Sequence, residues 1–119
     1  MEKFIIIGGK RLEGSVKVSG AKNAILPIMA ASLLSKGESV ICEVPRLMDV
    51  QVMQEVLTHL GAKIESNGNM LSVNGSNVQS LEIAEDLMRR MRASNLVMGA
   101  LLGRFGKVKV AYPGGCAVL

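Results

Sequence analysis

The chain has 119 residues, 49% of them hydrophobic and 3% aromatic, and a formal net charge of +4 from 14 Lys and Arg against 10 Asp and Glu. The apolar share excludes a disordered chain, and the scarcity of aromatic rings argues against a base-stacking platform for nucleic acid. Two cysteines and one histidine are too few for a disulfide framework or a Cys- or His-based metal centre, while the positive surplus suits anionic partners without pointing to nucleic acid.

Phe4-Ile5-Ile6-Ile7 is a short β-rich run closed by Gly8-Gly9. Ser15-Val16-Lys17-Val18-Ser19 alternates between Gly14 and Gly20. Together they predict two strands joined through Lys10 to Glu13. The three isoleucines are too few for a signal peptide, and no run approaches the ~20 apolar residues of a membrane span. The expectation is therefore a soluble cytoplasmic protein with reduced thiols and no membrane partner.

Ala24 to Leu34 predicts a helix that is apolar nearly all round, hence buried. Asn23 suits its N-cap, Pro27 must then fall in the first turn, and Gly37 marks its stop. Val40-Ile41-Cys42-Glu43-Val44 predicts a strand ended by Pro45, with Cys42 as a small core side chain. From Asp49 to Leu60 a second helix carries Val52, Val56, Leu57 and Leu60 on one stripe, and Gly61 closes it. Lys63-Ile64-Glu65 and Met70-Leu71-Ser72-Val73, joined through Asn67-Gly68, predict a β-hairpin. Asn74-Gly75 marks a further turn. Two more helices are expected over 81–90 and 94–102, the second bracketed by Gly103 and Gly106. Lys107 to Tyr112 is the last predicted strand, and Pro113-Gly114-Gly115-Cys116 turns out of it.

A faint internal repeat lays Asn23-Ala24 to Gly37 over Arg92-Ala93 to Gly106, both ends offset by 69 positions. The implied unit is strand, helix, strand, helix and hairpin.

Four residues carry candidate chemistry. Lys22 and Asn23 open a buried helix, whose free N–H groups and positive dipole end, with a full charge beside them, make a seat for phosphate or carboxylate. The plainer reading is a surface lysine beside a capping asparagine. Arg92 takes the equivalent place in the repeat. Glu85 and Asp86 stand four residues before Arg89 and Arg90 and read as partners on a solvated face, whereas Met88 precedes Arg92, which leaves it the freer cation. Cys116 follows two glycines on a loop where its thiol could act as acid, base or nucleophile. His59, in the last turn of a helix, reads as a dipole partner, and the eight methionines as core filler. Neither G-x-x-x-x-G-K-[ST] nor G-x-G-x-x-G occurs, so a nucleotide-binding motif has no support.

Five stretches then fall in order: Gly14-Ser15-Val16-Lys17-Val18-Ser19-Gly20-Ala21-Lys22-Asn23-Ala24, Val44-Pro45-Arg46-Leu47-Met48-Asp49-Val50, Leu60-Gly61-Ala62-Lys63, Met91-Arg92-Ala93-Ser94 and Pro113-Gly114-Gly115-Cys116. In this order and spacing the chain resembles the UDP-N-acetylglucosamine 1-carboxyvinyltransferase (UDP-N-acetylglucosamine enolpyruvyl transferase) family along nearly its whole length. The related shikimate-pathway enolpyruvyl transferase typically has Lys-Ser where this chain has Lys22-Asn23.

The resemblance implies an α/β fold of two inside-out α/β barrels built from β-α-β-α-β-β units, of which this chain holds one full unit and part of a second. Residues 1–21 would be a hairpin that packs with the second domain, and 22–119 an incomplete first, catalytic-loop domain. It implies transfer of enolpyruvyl from phosphoenolpyruvate to the 3′-hydroxyl of UDP-N-acetylglucosamine with release of phosphate. That is the first committed step of peptidoglycan synthesis, hence of cell-wall growth, shape and division, and it needs no cofactor or metal. By motif, Lys22 and Asn23 would contact phosphoenolpyruvate, Arg92 the UDP-sugar, and Cys116 would protonate the methylene carbon and be the thiol modified by fosfomycin.

Members of that family are several-fold longer. They continue to an Arg beyond the Cys and draw an Asp base and a late Arg from the second domain, none of which is present here. The expectation is an N-terminal fragment, inactive alone, whose uncovered apolar faces favour self-association. The competing reading is a non-catalytic anion-binding or assembly module of the same fold.

Overall fold

The computed structural model describes residues 2–79, 82–83, 86, 89 and 94–110. In chain order the elements are helix α1 (Lys22–Ala31) running into a 3-10 turn (Ser32–Leu34), strand β1 (Glu38–Ile41), helix α2 (Met48–His59), strands β2 (Lys63–Asn67), β3 (Met70–Asn74) and β4 (Glu82–Ile83), helix α3 (Ser94–Phe105) and strand β5 (Lys109–Val110). An antiparallel sheet has the order β1-β3-β2, and β4 pairs with β5 in parallel.

The core forms where the apolar faces of three helices meet the sheet. Its members include Ile25, Met29 and Leu33 from α1 and its 3-10 turn, Val52, Met53, Val56 and Leu57 from α2, Val97 and Leu101 from α3, and Leu71 and Val73 from β3. α1 and α2 pack on each other, as do α1 and α3. The buried stripe of α2 is the one read from its periodicity, and the helix starts one residue earlier than expected. Burial at each such side chain contributes about 1.5–3 kcal/mol.

α1 departs from expectation at its start. Its N-cap is Ala21, in extended conformation, so Lys22 and Asn23 are the first two helical residues. Pro27 therefore sits in the second turn, inside the helix. It has no N–H to give the Asn23 carbonyl, four residues back. The helix is not buried all round either, because Ile28 is 49% exposed. The helix ends in the 3-10 turn, ahead of Gly37, and the buried Ser32 hydroxyl donates to the Met29 carbonyl.

β1 stops at Ile41, and its half-buried side chains are Ser39 and Ile41, while Glu38 and Val40 face out. The phase is thus opposite to one that would bury Cys42. Cys42 lies outside the strand with an exposed free thiol, and the expectation of a core cysteine is corrected. A one-residue change of phase is enough to move a strand side chain from core to solvent. Glu43 then takes a left-handed conformation (φ 57°), which bends the chain before Pro45. The hairpin of β2 and β3 forms as read, though its two-residue loop is Gly68-Asn69, since Asn67 pairs with Met70. Asn74 makes the predicted turn by accepting from the Ser76 N–H at 3.0 Å and the Ser76 hydroxyl at 2.6 Å.

Two expected elements differ further. Glu82 and Ile83, read as part of a helix over 81–90, form a strand in register with Lys109 and Val110. Non-local pairing overrides local preference there. Asp86 and Arg89 are helical. The pairs Glu85–Arg89 and Asp86–Arg90 include positions outside the described residues. α3 runs through Gly103 to Phe105, and Gly106 (φ +76°) ends it, its N–H donating to the Leu102 carbonyl at 2.9 Å.

The runs 4–7 and 15–19, read as two strands, join no ladder. Phe4, Ile5, Ile6, Ile7, Val16 and Val18 are all at least 78% exposed. A strand pair with no third strand or helix to cover its apolar face has little stability of its own.

Candidate anion site at two helix N-termini

Residues 17–22 and 43–49 lie against each other, and each segment leads into a helix. Lys17 Nζ is 3.0 Å from Glu43 Oε1, and Lys22 Nζ is 2.7 Å from Asp49 Oδ2. Between these contacts Gly20 meets the Glu43 backbone so closely that a Cβ there would stand 2.3 Å from the Glu43 carbonyl oxygen. A cleft of about 470 Å³ opens beside them, lined by residues 17–20, 43–47 and Asn69.

Lys22 is the first residue of α1 and Asp49 lies in the first turn of α2, so the ion pair joins two helix N-termini. No side chain caps either end, and the first turn of α1 holds no acidic residue. Both helix ends carry positive partial charge, which the Asp49 carboxylate partly offsets. The side chains of Lys22 and Asp49 are 55% and 29% exposed. Asn23, the second helical residue, is also exposed. A half-exposed ammonium beside uncapped N–H groups is chemically suited to receive a phosphate or a carboxylate.

Of the four residues singled out from the sequence, the structure brings Lys22 and Asn23 together at one helix end. Arg92 and Cys116 lie outside the described residues. His59 is exposed in the last turn of α2, consistent with its reading as a dipole partner. Among the described residues no group of three or more His, Cys, Asp or Glu side chains could hold a metal ion, and no helix is long and apolar enough to cross a membrane. Asp49 is the residue that sequence reasoning treated only as a helix start. The signal was present in Val44-Pro45-Arg46-Leu47-Met48-Asp49-Val50, but its contact with Lys22 is non-local.

The α/β arrangement is shared with enolpyruvyl transferases, a class of enzyme. The sequence profile of EPSP synthase (3-phosphoshikimate 1-carboxyvinyltransferase) matches residues 6–118, and the chain belongs to that family. Within it, the chain is 54% identical over 119 residues to a UDP-N-acetylglucosamine 1-carboxyvinyltransferase of Dichelobacter nodosus, and 50% identical over 118 residues to that of Desulfosudis oleivorans. Each match takes in 99% of this chain, which spans about 28% of the relatives' length. Among solved structures, the enolpyruvyl transferase NikO from Streptomyces tendae matches with a TM-score of 0.69 and 29% identity, over 83% of this chain and 23% of that one. The expected resemblance to UDP-N-acetylglucosamine 1-carboxyvinyltransferases is thereby borne out.

Proposed function

We propose that this chain is the N-terminal portion of an enzyme that moves enolpyruvyl from phosphoenolpyruvate to the 3′-hydroxyl of UDP-N-acetylglucosamine. The reading rests above all on about 50% identity, along 99% of the chain, to relatives named for that activity. In the transfer the sugar hydroxyl gives up its proton as its oxygen bonds to the substituted enol carbon and the methylene carbon takes up a proton. The methyl so formed then loses a proton to restore the double bond as the bond from the enol carbon to the phosphate oxygen breaks and phosphate leaves. Both substrates are anionic, which gives the Lys22 ammonium at the uncapped start of α1 a ligand to meet.

In this reading Lys22 and Asn23 seat phosphoenolpyruvate, Arg92 engages the UDP-sugar, and Cys116 delivers a proton to the methylene carbon from a loop that closes over both. Closure excludes water and strengthens each charge contact. Residues 22–119 would be the first barrel domain, incomplete, and the apolar residues of 1–21 would pack against the second. The exposure of Phe4 to Ile7 supports that assignment. The activity would serve peptidoglycan synthesis in the cytoplasm, and fosfomycin would act at Cys116.

The chain alone is expected to be inactive. Phosphate release from phosphoenolpyruvate, followed with and without UDP-N-acetylglucosamine, tests this: no release is the expected result, and sugar-dependent release would contradict it. The short span relative to its relatives favours one further reading, a non-catalytic anion-binding module. Cys116→Ala distinguishes the two. In enzyme completed by the missing part it abolishes turnover, whereas simple anion binding survives it.

A further inference from the structure

We propose that Asp49 is the positioning residue of the Lys22 anion seat, an inference that rests on the reading of Lys22 as a contact for phosphoenolpyruvate. Four ion pairs can be compared. Arg11–Glu13 and Lys17–Glu43 join side chains that are all at least 60% exposed, and Lys63–Glu65 is both exposed and long, at 3.9 Å. Lys22–Asp49 is the shortest, at 2.7 Å, and has the least exposed acid, at 29%. It is also the pair whose partners both lie in first turns of packed helices. A lysine stem has four rotatable bonds and its head is strongly hydrated, so an unheld ammonium samples many positions. A carboxylate carried on a helix turn takes one of its three N–H donors in a charge-assisted contact and leaves two for a ligand.

The alternative role, a negative charge that merely competes with an incoming anion, makes the opposite prediction. Removing that charge would tighten anion binding, whereas removing a positioning contact would weaken it. The comparison is made on the whole chain, in wild type and Asp49→Asn. Trace acetylation of Lys22 is read by peptide mass spectrometry against rising phosphoenolpyruvate, and circular dichroism reports the fold. The expected result in Asp49→Asn is faster acetylation of Lys22, and half-protection at a phosphoenolpyruvate concentration raised about fivefold, the measure of a lost partly exposed ion pair.

Unchanged or tighter protection in a folded Asp49→Asn chain would overturn the proposal. Lys22 unprotected already in wild type would overturn the anion seat itself, and this inference with it, so the two failures are distinguishable. If Asp49→Asn does not fold, Asp49→Glu replaces it. That variant keeps the charge but displaces the ammonium, so protection is again expected to weaken, and unchanged protection overturns the proposal.

Discussion

Gly20 and Arg104 do more structural work than their composition suggests. At Gly20 a methyl group would collide with the Glu43 carbonyl, and Pro45 Cδ stands only 3.1 Å from the same point. Neither neighbour is a flexible side chain. Gly20→Ala should cost about 1–3 kcal/mol in urea denaturation, the usual penalty for a forced backbone shift. Arg104 is partly buried and donates from Nη1 to the Leu33 carbonyl at 3.0 Å and the Gly75 carbonyl at 2.7 Å, which ties α3 to the end of the α1 turn and to the loop after β3. Arg104→Met keeps the stem but takes this donor from the Leu33 carbonyl and leaves the Gly75 carbonyl with the Val78 N–H at 3.3 Å, and should lower stability by about 1–3 kcal/mol by the same measurement. Lys22 differs from both. Its pair with Asp49 is partly exposed and worth at most about 1 kcal/mol to folding, so its importance lies in where it holds the charge.

Among the elements, α1 carries a local conflict. Pro27 breaks its hydrogen-bond ladder in the second turn, while the buried face of Ile25, Leu26, Met29 and Ala30 holds the helix in place. Pro27→Ala restores an N–H for the Asn23 carbonyl and should raise the melting temperature, with a stability gain of up to the ~3 kcal/mol that an interior proline costs. The start of α1 was misread because Asn23 is a better capping residue than Ala21 in isolation. The packed Gly20 and the Lys22–Asp49 contact, both non-local, accompany the earlier start. α2 and the β2–β3 hairpin were legible for the opposite reason: an apolar stripe at helical spacing, then alternation around a glycine turn, signal their structure within a few residues. β1 is half-legible, since alternation over 40–44 shows a strand but not which phase faces the core, and the expectation of a buried Cys42 rests on that ambiguity. β4 is two residues long and depends on pairing with β5, a partner no local pattern reveals. Of the site, Lys22-Asn23 at a helix mouth was readable and the contribution of Asp49 was not.

At the scale of the molecule, among the described residues 22–79 and 94–110 contribute the buried core together with Ile83, whereas the apolar side chains of 4–18 lie exposed. The segment before Lys17 therefore has little to protect it from local opening, and limited trypsin digestion should cut at Lys10 or Arg11 well before Lys22 in α1, Lys63 in β2 or Arg104 in α3. Simultaneous cleavage throughout would contradict the division.

The central claim is that the opening turn of α1 receives phosphoenolpyruvate. The most direct test is a titration of the isotope-labelled chain with phosphoenolpyruvate, followed by amide NMR. The account predicts saturable shifts of the Lys22 and Asn23 amides, reduced in Lys22→Ala. Shifts confined to other residues, or the same shifts in Lys22→Ala, would contradict it.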